Sequence, residues 1–324
     1  MSDLSRRRFI KTAAGVAVAG NAVLQTQTIQ AETAMPMREL GQTGEKVSIL
    51  CLGGGGRGRN PQIRGKAKNS GERKLAVKLI ERALEAGVNF FDSCTGYGAS
   101  EEILGEALPK DRRKIFIATK NTQPDAPGDR LRFELDQSLK RLKTGRLDLW
   151  YIHNVRTLKD AKAIFEKDRA IEVFLKAREE GKTRFIGISG HTSAKAIHHV
   201  LDRCIKDGIK LDAVLFSINI TDARSGGHGK KLIERYKDFD IGMVAMKIFG
   251  SDGAPLLKQP GIDAELATRF VLSQPVSSAV VGIHTMEELE ENLRIVKQFK
   301  PLTKEEILDT EKELAAKPVW TLKA

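Results

Sequence analysis

The chain has 324 residues, 41% of them hydrophobic and 6% aromatic, with a formal net charge of +12 at neutral pH. Its three cysteines, Cys51, Cys94 and Cys204, lie far apart with no CxxC pair, which excludes a disulfide framework and a thiolate metal cluster and points to free thiols. The basic residues are scattered among Asp and Glu without a stripe of interleaved aromatics, so nucleic acid is not an expected partner, whereas phosphorylated ligands or anionic surfaces suit the charge.

In chain order, Ser5-Arg6-Arg7-Arg8-Phe9-Ile10-Lys11 comes first, ahead of an Ala/Gly/Val-rich stretch from Thr12 to Leu24 and a polar run from Gln25 to Glu32. The arginine pair, the Phe, the apolar residue and the Lys fall in the order of a twin-arginine export signal; a basic, frayed N-terminus is the plain alternative. At about 13 residues, against about 20 for a membrane-spanning helix, the apolar stretch is too short for permanent anchoring. The signal is expected to cover 1–31 and to engage the twin-arginine export machinery, which carries folded proteins to the periplasm or cell envelope. Four basic side chains and one acidic one leave with it, taking the charge from +12 to +9. Residues 32–324 have the length of one closed α/β barrel of roughly 250 residues plus decoration, and no Pro-, Gly- or Ser-rich linker divides them.

Eight short apolar runs follow: VSILCLG from Val47, VNFFDS from Val88, KIFIATK from Lys114, LDLWYIH from Leu147, RFIGISG from Arg184, DAVLFSIN from Asp212, IGMVAMK from Ile241 and SAVVGI from Ser278. Ahead of them, Met37-Arg38-Glu39-Leu40-Gly41, turning at Thr43-Gly44, is expected to form a hairpin over the barrel's bottom. Between the runs, apolar residues recur at three and four spacing, as in Leu75, Leu79, Ile80, Ala83 and Leu84, or Leu131, Leu135, Leu139 and Leu142, which predicts helices. Ser100 before Glu101 and Glu102 is expected to cap one of them. Thr285 with Glu288, and Thr303 with Glu306, have capping-box spacing. Strand and helix alternate about every thirty residues, which favours parallel pairing with right-handed crossovers. The number eight, and the lack of GxGxxG after the first run, favour a (β/α)8 TIM barrel over an open sheet. The glycine-rich run Gly53 to Gly56, with Arg57, Gly58 and Arg59, has no GKS or GKT ending and is expected to line the mouth rather than grip a triphosphate.

Four polar residues sit where three of these runs end. Asp92 falls at the end of the second and Tyr97 just past it, Lys120 closes the third and His153 closes the fourth. Strand ends at the C-terminal mouth are where a parallel barrel builds its active site, and adjacent strand ends are about 5 Å apart, so the four groups can converge. Tyr is a poor acid near neutrality, since its reference pKa is about 10, and needs a neighbour that stabilises its anion. Lys120 can serve, Asp92 can keep Lys120 charged, and His153 can orient a carbonyl oxygen. Each residue taken singly also has an ordinary structural role, as turn cap, loop aromatic, surface charge or core histidine.

The FFDSCTGYG and GKTRFIGISGHT stretches, with Asp92, Tyr97, Lys120 and His153 in order, resemble the aldo-keto reductase family from the N-terminal hairpin through the last barrel helix. The resemblance implies an extended nicotinamide cofactor, NADPH with NADH as the other choice, lying across the mouth. It also implies reduction of a small aldehyde or ketone with Tyr97 as proton donor. By the same resemblance, Ser189 matches a carboxamide contact, though Gly190 stands where an Asn is common, and Met246 takes the place of a ring-stacking aromatic. Lys247 and Gly250, in the Gly250-Ser251-Asp252-Gly253 loop, match a pyrophosphate contact, His284 falls near the 2'-phosphate, and Glu291 and Asn292 match adenine contacts. Glu287 and Glu288 compete with a phosphate at the same helix N-terminus, so preference for NADPH over NADH is expected to be weak. Selectivity for the carbonyl compound is expected from the first loop and from Trp150, Tyr151 or Phe249, the tail from Lys317 with Trp320 being short. Two other readings stand beside this one: an exported nucleotide-binding or regulatory barrel with little turnover, and a lyase using Lys120 as a Schiff-base nucleophile, which Asp92 opposes by keeping the amine protonated.

Overall fold

A computed structural model describes residues 34–55, 70–191, 193–251 and 253–315. The signal expected over 1–31, the Gly56 to Arg59 half of the glycine-rich run, Asp252 and the tail from Lys317 lie outside the described residues. The eight apolar runs supply eight parallel strands that close on themselves: β3 Leu50–Gly53, β4 Phe90–Asp92, β5 Phe116–Lys120, β6 Leu147–Ile152, β7 Thr183–Gly190, β8 Ala213–Ser217, β9 Gly242–Met246 and β10 Ser278–Gly282, with β10 pairing back onto β3. Helices alternate with them: α1 Ser70–Glu85, α2 Ser100–Ala107, α3 Gly128–Arg141, α4 Leu158–Ala163, α5 Ala170–Glu179, α6 Ala194–Lys206, α7 His228–Tyr236, α8 Ala264–Leu272, α9 Met286–Lys297 and α10 Lys304–Ala315. This is the (β/α)8 barrel.

VSILCLG is not one strand. Val47 and Ser48 belong to β2, Lys46–Ser48, which pairs antiparallel with β1, Met37–Glu39, and the barrel strand begins only at Leu50. The hairpin closes the end of the barrel where the strands start. Leu40 and Val47 join the lumen cluster with Phe90 and Phe116, and Gly242, the first residue of β9, lies so close to Leu40 that a Cβ there would stand 2.6 Å from its Cδ1. Arg184 at the base of β7 fastens the hairpin, pairing with Glu45 and with Asp148 of β6 at 2.9 Å.

Side chains alternate across each strand with a period of two, and the barrel sorts them into two apolar layers. Phe90, Phe116, Leu149, Tyr151, Leu215 and Val244 fill the lumen, while Phe91, Ile117, Trp150 and Ile186 face the helices. Trp150 stacks on Phe174 of α5 with ring centroids 3.6 Å apart. Burying such a side chain contributes about 1.5–3 kcal/mol, so both layers hold the strands in register. This sorting overturns one expectation: Trp150 and Tyr151 are fully buried in opposite layers, and neither lines the mouth. Phe249 remains partly exposed.

Ser100 is not a helix cap. The cap position of α2 is Ala99, and the Ser100 hydroxyl bonds instead to that of Ser93 at 2.7 Å. Thr303 and Glu306 form the expected reciprocal pair, the Thr303 N–H donating to the Glu306 carboxylate at 2.6 Å and the Glu306 N–H to Thr303 Oγ1 at 3.1 Å.

Candidate active site

Parity along the strands builds the site. Asp92 is two residues beyond Phe90, Lys120 four beyond Phe116, His153 two beyond Tyr151, Ser189 four beyond Phe185, Ser217 two beyond Leu215 and Met246 two beyond Val244. Each therefore continues a lumen-facing row, and together they form its top layer. Tyr97 joins from the loop between β4 and α2, which is tied down by the Thr95 N–H donating to the Lys120 carbonyl at 3.0 Å and by the Tyr97 N–H donating to the Cys94 carbonyl at 2.9 Å.

The four residues do come together. Lys120, 2% exposed, donates from Nζ to Asp92 Oδ1 and to the Ser93 carbonyl, the latter at 2.6 Å. Its ammonium sits 5.3 Å from the centroid of the Tyr97 ring, and that ring meets the His153 ring edge-on with centroids 6.1 Å apart. Burial works against the charge on Lys120, but Asp92, Tyr97 and Cys94 outweigh it and hold the pKa above the ordinary lysine value. Burial also raises Asp92, with Lys120 opposing. An ammonium so held is not a free amine, which removes the physical basis of the Schiff-base reading.

Gly55 shows why the start of the glycine-rich run carries no side chain. A Cβ there would stand 2.8 Å from the Tyr97 ring and 3.1 Å from its hydroxyl oxygen, and the Gly54 N–H bonds to the Asp92 carbonyl at 2.7 Å. The backbone thus folds against Tyr97 and limits where the phenol can go.

Burial, with Lys120 and His191 adding to it, pushes His153 down to about 3, and burial pushes His228 at the start of α7 down to about 4. Both are uncharged near neutrality. The unfolded chain binds these protons near pH 6.5 and the folded chain does not, so stability should fall as pH drops from about 6.5 and stop falling below the folded values. Each histidine should cost about 2 kcal/mol between pH 7 and pH 5. Urea midpoints at the two pH values check this, and a His228→Gln variant with as steep a pH dependence as the parent would count against it.

The remaining expected site residues lie around this centre. Ser189 accepts the Asn154 N–H on its hydroxyl at 3.0 Å, and its own proton has no partner among the described residues. Gly190 has no room for the side chain common at its position, because Ile197 and the Val155 carbonyl fill it. Met246 is buried at the end of β9 beside Ser217, whose hydroxyl is buried without a hydrogen bond among the described residues. Lys247 has a φ of 62° and Gly250 one of 98°, and the Gly250 N–H closes the turn onto the Lys247 carbonyl at 2.8 Å. His284 gives its N–H to Glu288 at 2.7 Å. The Glu288 carboxylate thus reaches one residue past the capping-box position, while its own N–H donates to Thr285 Oγ1 at 3.1 Å. Glu291 is exposed and Asn292 buried on α9, with Asn292 Nδ2 on the Glu288 carbonyl at 2.7 Å and Oδ1 buried without a partner among the described residues.

Sequence reasoning missed Cys94 and Asn121. Asn121 accepts the His153 N–H on Oδ1 at 2.8 Å, and the Cys94 sulfur lies 3.4 Å from His153 Nδ1. Their position next to strand ends was a signal. Among the described residues, no group of three or more His, Cys, Asp or Glu could hold a metal ion, and no helix is long and apolar enough to cross a membrane.

The profile of the family described as "Aldo/keto reductase family" matches residues 50–261, which span every strand from β3 to β9 and all four central residues. The chain belongs to the aldo/keto reductase family. This aldo-keto reductase is an NAD(P)H-dependent oxidoreductase. It is 27% identical to an L-galactose dehydrogenase of Arabidopsis thaliana, over 90% of this chain and 97% of that one. It is 30% identical to NADPH-dependent codeinone reductase 1-4 of Papaver somniferum, over 73% and 78%. Among solved structures, the aldo-keto reductase AKR11C1 of Bacillus halodurans in its holo form shares the barrel with a TM-score of 0.67 at 22% identity, covering 88% of this chain and 98% of that one.

Proposed function

We propose that this aldo-keto reductase reduces a small aldehyde or ketone to an alcohol, with Tyr97 delivering the proton. The observation that carries the reading is the stack of Asp92, Lys120 and the Tyr97 ring at the mouth, with an uncharged His153 beside it. As the carbonyl oxygen gains charge, Tyr97 gives it a proton, and the nearby ammonium stabilises the phenolate left behind. Asp92 and the Ser93 carbonyl keep that ammonium aimed. His153, uncharged, donates a hydrogen bond that holds the oxygen in place. A reduced nicotinamide, when bound, supplies the hydride to the carbonyl carbon.

Hydrogen-bonding groups left without a partner among the described residues fit such a nucleotide: the Ser189 proton, the Ser217 hydroxyl and Asn292 Oδ1. Met246 offers a polarisable surface for the ring, and Lys247 with the turn at Gly250 offers charge and N–H groups for the pyrophosphate. NADPH is the first choice, in keeping with the likeness to the NADPH-dependent codeinone reductase, and NADH the second. Glu288 already takes the His284 N–H, and the Glu287 carboxyl is held low by its own backbone N–H and by Thr285, so these carboxylates oppose a 2'-phosphate and the preference should be weak. Glu291 is the remaining candidate for the adenine.

We also read residues 1–31 as a twin-arginine signal and 32–324 as the exported barrel, placing the enzyme in the periplasm or cell envelope. One experiment addresses both readings. Protein recovered from a periplasmic extract should oxidise NADPH when mixed with a panel of aldehydes and ketones, read as loss of the reduced-nicotinamide absorbance. Absence from that fraction would count against export. A tightly held nucleotide without multiple turnover on any carbonyl compound would favour a regulatory barrel instead.

A further inference from the structure

The Cys94 thiol is 1% exposed and reaches three groups. Its sulfur lies 3.4 Å from His153 Nδ1, accepts the Gly96 N–H at 3.4 Å, and stands 3.4 Å from the Asn121 carbonyl oxygen, to which its S–H can also donate. Asn121 in turn accepts the backbone N–H of His153. Cys94 and Asn121 therefore hold His153 at two points, one on the ring and one on the main chain. An uncharged imidazole carries one proton, and what sits against Nδ1 decides which nitrogen keeps it.

We propose that Cys94 is a positioning residue that donates its S–H to His153 Nδ1 and so keeps the imidazole's own proton on Nε2, the nitrogen left for the substrate oxygen. The inference rests on the proposed carbonyl reduction at this site. The thiol's one proton has two acceptors at 3.4 Å, the Asn121 carbonyl and His153 Nδ1. Aimed at the carbonyl, it would leave the ring proton on Nδ1 facing sulfur, a weak acceptor that already takes the Gly96 N–H, so the better pairing directs the S–H at the imidazole nitrogen, the stronger acceptor. The sulfur's accepting side is already turned to Gly96. Burial pushes the Cys94 thiol up to about 12 and His153 down to about 3, so the thiol keeps its proton and the ring stays uncharged over the whole neutral range. With Nδ1 as acceptor, Nε2 is a donor, as an oxygen gaining negative charge requires. With the tautomer reversed, Nε2 would present a lone pair to that oxygen and repel it.

The test reads the tautomer directly. Full-length protein labelled with 15N-histidine, without nucleotide, is examined by long-range proton–nitrogen correlation at neutral pH, the His153 signal being the one lost in His153→Gln. The parent should show a proton on Nε2 and none on Nδ1. Cys94→Ala should populate the Nδ1-protonated form, and Cys94→Ser, which restores a donor, should return the ring to the parent pattern. Turnover of Cys94→Ala should fall roughly 3- to 10-fold through kcat, with KM for the carbonyl compound within about twofold. A parent ring protonated on Nδ1, or a Cys94→Ala ring unchanged from the parent, overturns the proposal. Should Cys94→Ala fail to fold, the parent tautomer and Cys94→Ser decide it. The tautomer needs no turnover, so a chain that reduces no carbonyl compound yet shifts its His153 tautomer would fail the reading of the reaction and keep the role of Cys94.

Discussion

Tyr97→Phe should bind NADPH within about twofold of the parent and turn over at least ~100-fold more slowly, because general acid catalysis contributes about 10²- to 10⁴-fold and neither Lys120 nor His153 stands ready as a replacement acid. Lys120 is engaged with Asp92 and Ser93, and His153 is held uncharged. The substitution removes one oxygen and leaves the ring, so its packing beside Gly55, Lys120 and His153 can persist. Steady-state turnover with NADPH and a reactive aldehyde, beside a fluorescence titration of the nucleotide, separates chemistry from binding. A variant turning over within tenfold of the parent would sink the assignment of Tyr97.

Lys120→Met should lower both turnover and stability, for different reasons. Turnover should fall roughly 100-fold or more, since the phenolate loses the cation that stabilises it. Stability should fall by about 3–5 kcal/mol, because Asp92, 3% exposed, is left as a buried carboxylate without its partner. The double variant Asp92→Asn/Lys120→Met removes the stranded charge and should recover most of that stability while turnover stays low. Urea unfolding and steady-state kinetics on the parent and both variants check this. If turnover recovers along with stability in the double variant, the ammonium acts through folding alone, and its proposed role at Tyr97 falls.

Much of this site is legible in the sequence because a parallel barrel buries both faces of each strand. Every strand then reads as a continuous apolar run, and a charged or polar residue at its end stands out, as Asp92, Lys120 and His153 do. The same property hides which way each side chain faces. LDLWYIH has no polar alternation to show that Tyr151 fills the lumen while Trp150 turns to α5, and a substrate-lining role for either reads as well as a core role. VSILCLG hides the switch from hairpin to barrel for a similar reason, since its residues from Val47 to Gly53 are all buried on whichever layer they meet. Ser100 shows the limit of local rules: its spacing to two glutamates fits a cap, but Ser93, brought close by the strand-to-helix turn, takes its hydroxyl. Cys94 and Asn121 escape because their partner, His153, comes from another strand, and only the fold supplies that neighbour.

The hairpin that seals the base makes the cylinder a cup. Beneath Tyr151 its interior includes Cys51, Phe90, Phe116 and Leu149, with Leu40 and Val47 as the floor, and among the described residues this apolar column offers no chain of polar groups along which a proton could hop. On the proposed reading, nucleotide, carbonyl compound and alcohol would share one lip, and the proton that recharges Tyr97 would come in over that lip from bulk water. A molecule lodged there would therefore block chemistry, exchange and reprotonation at once.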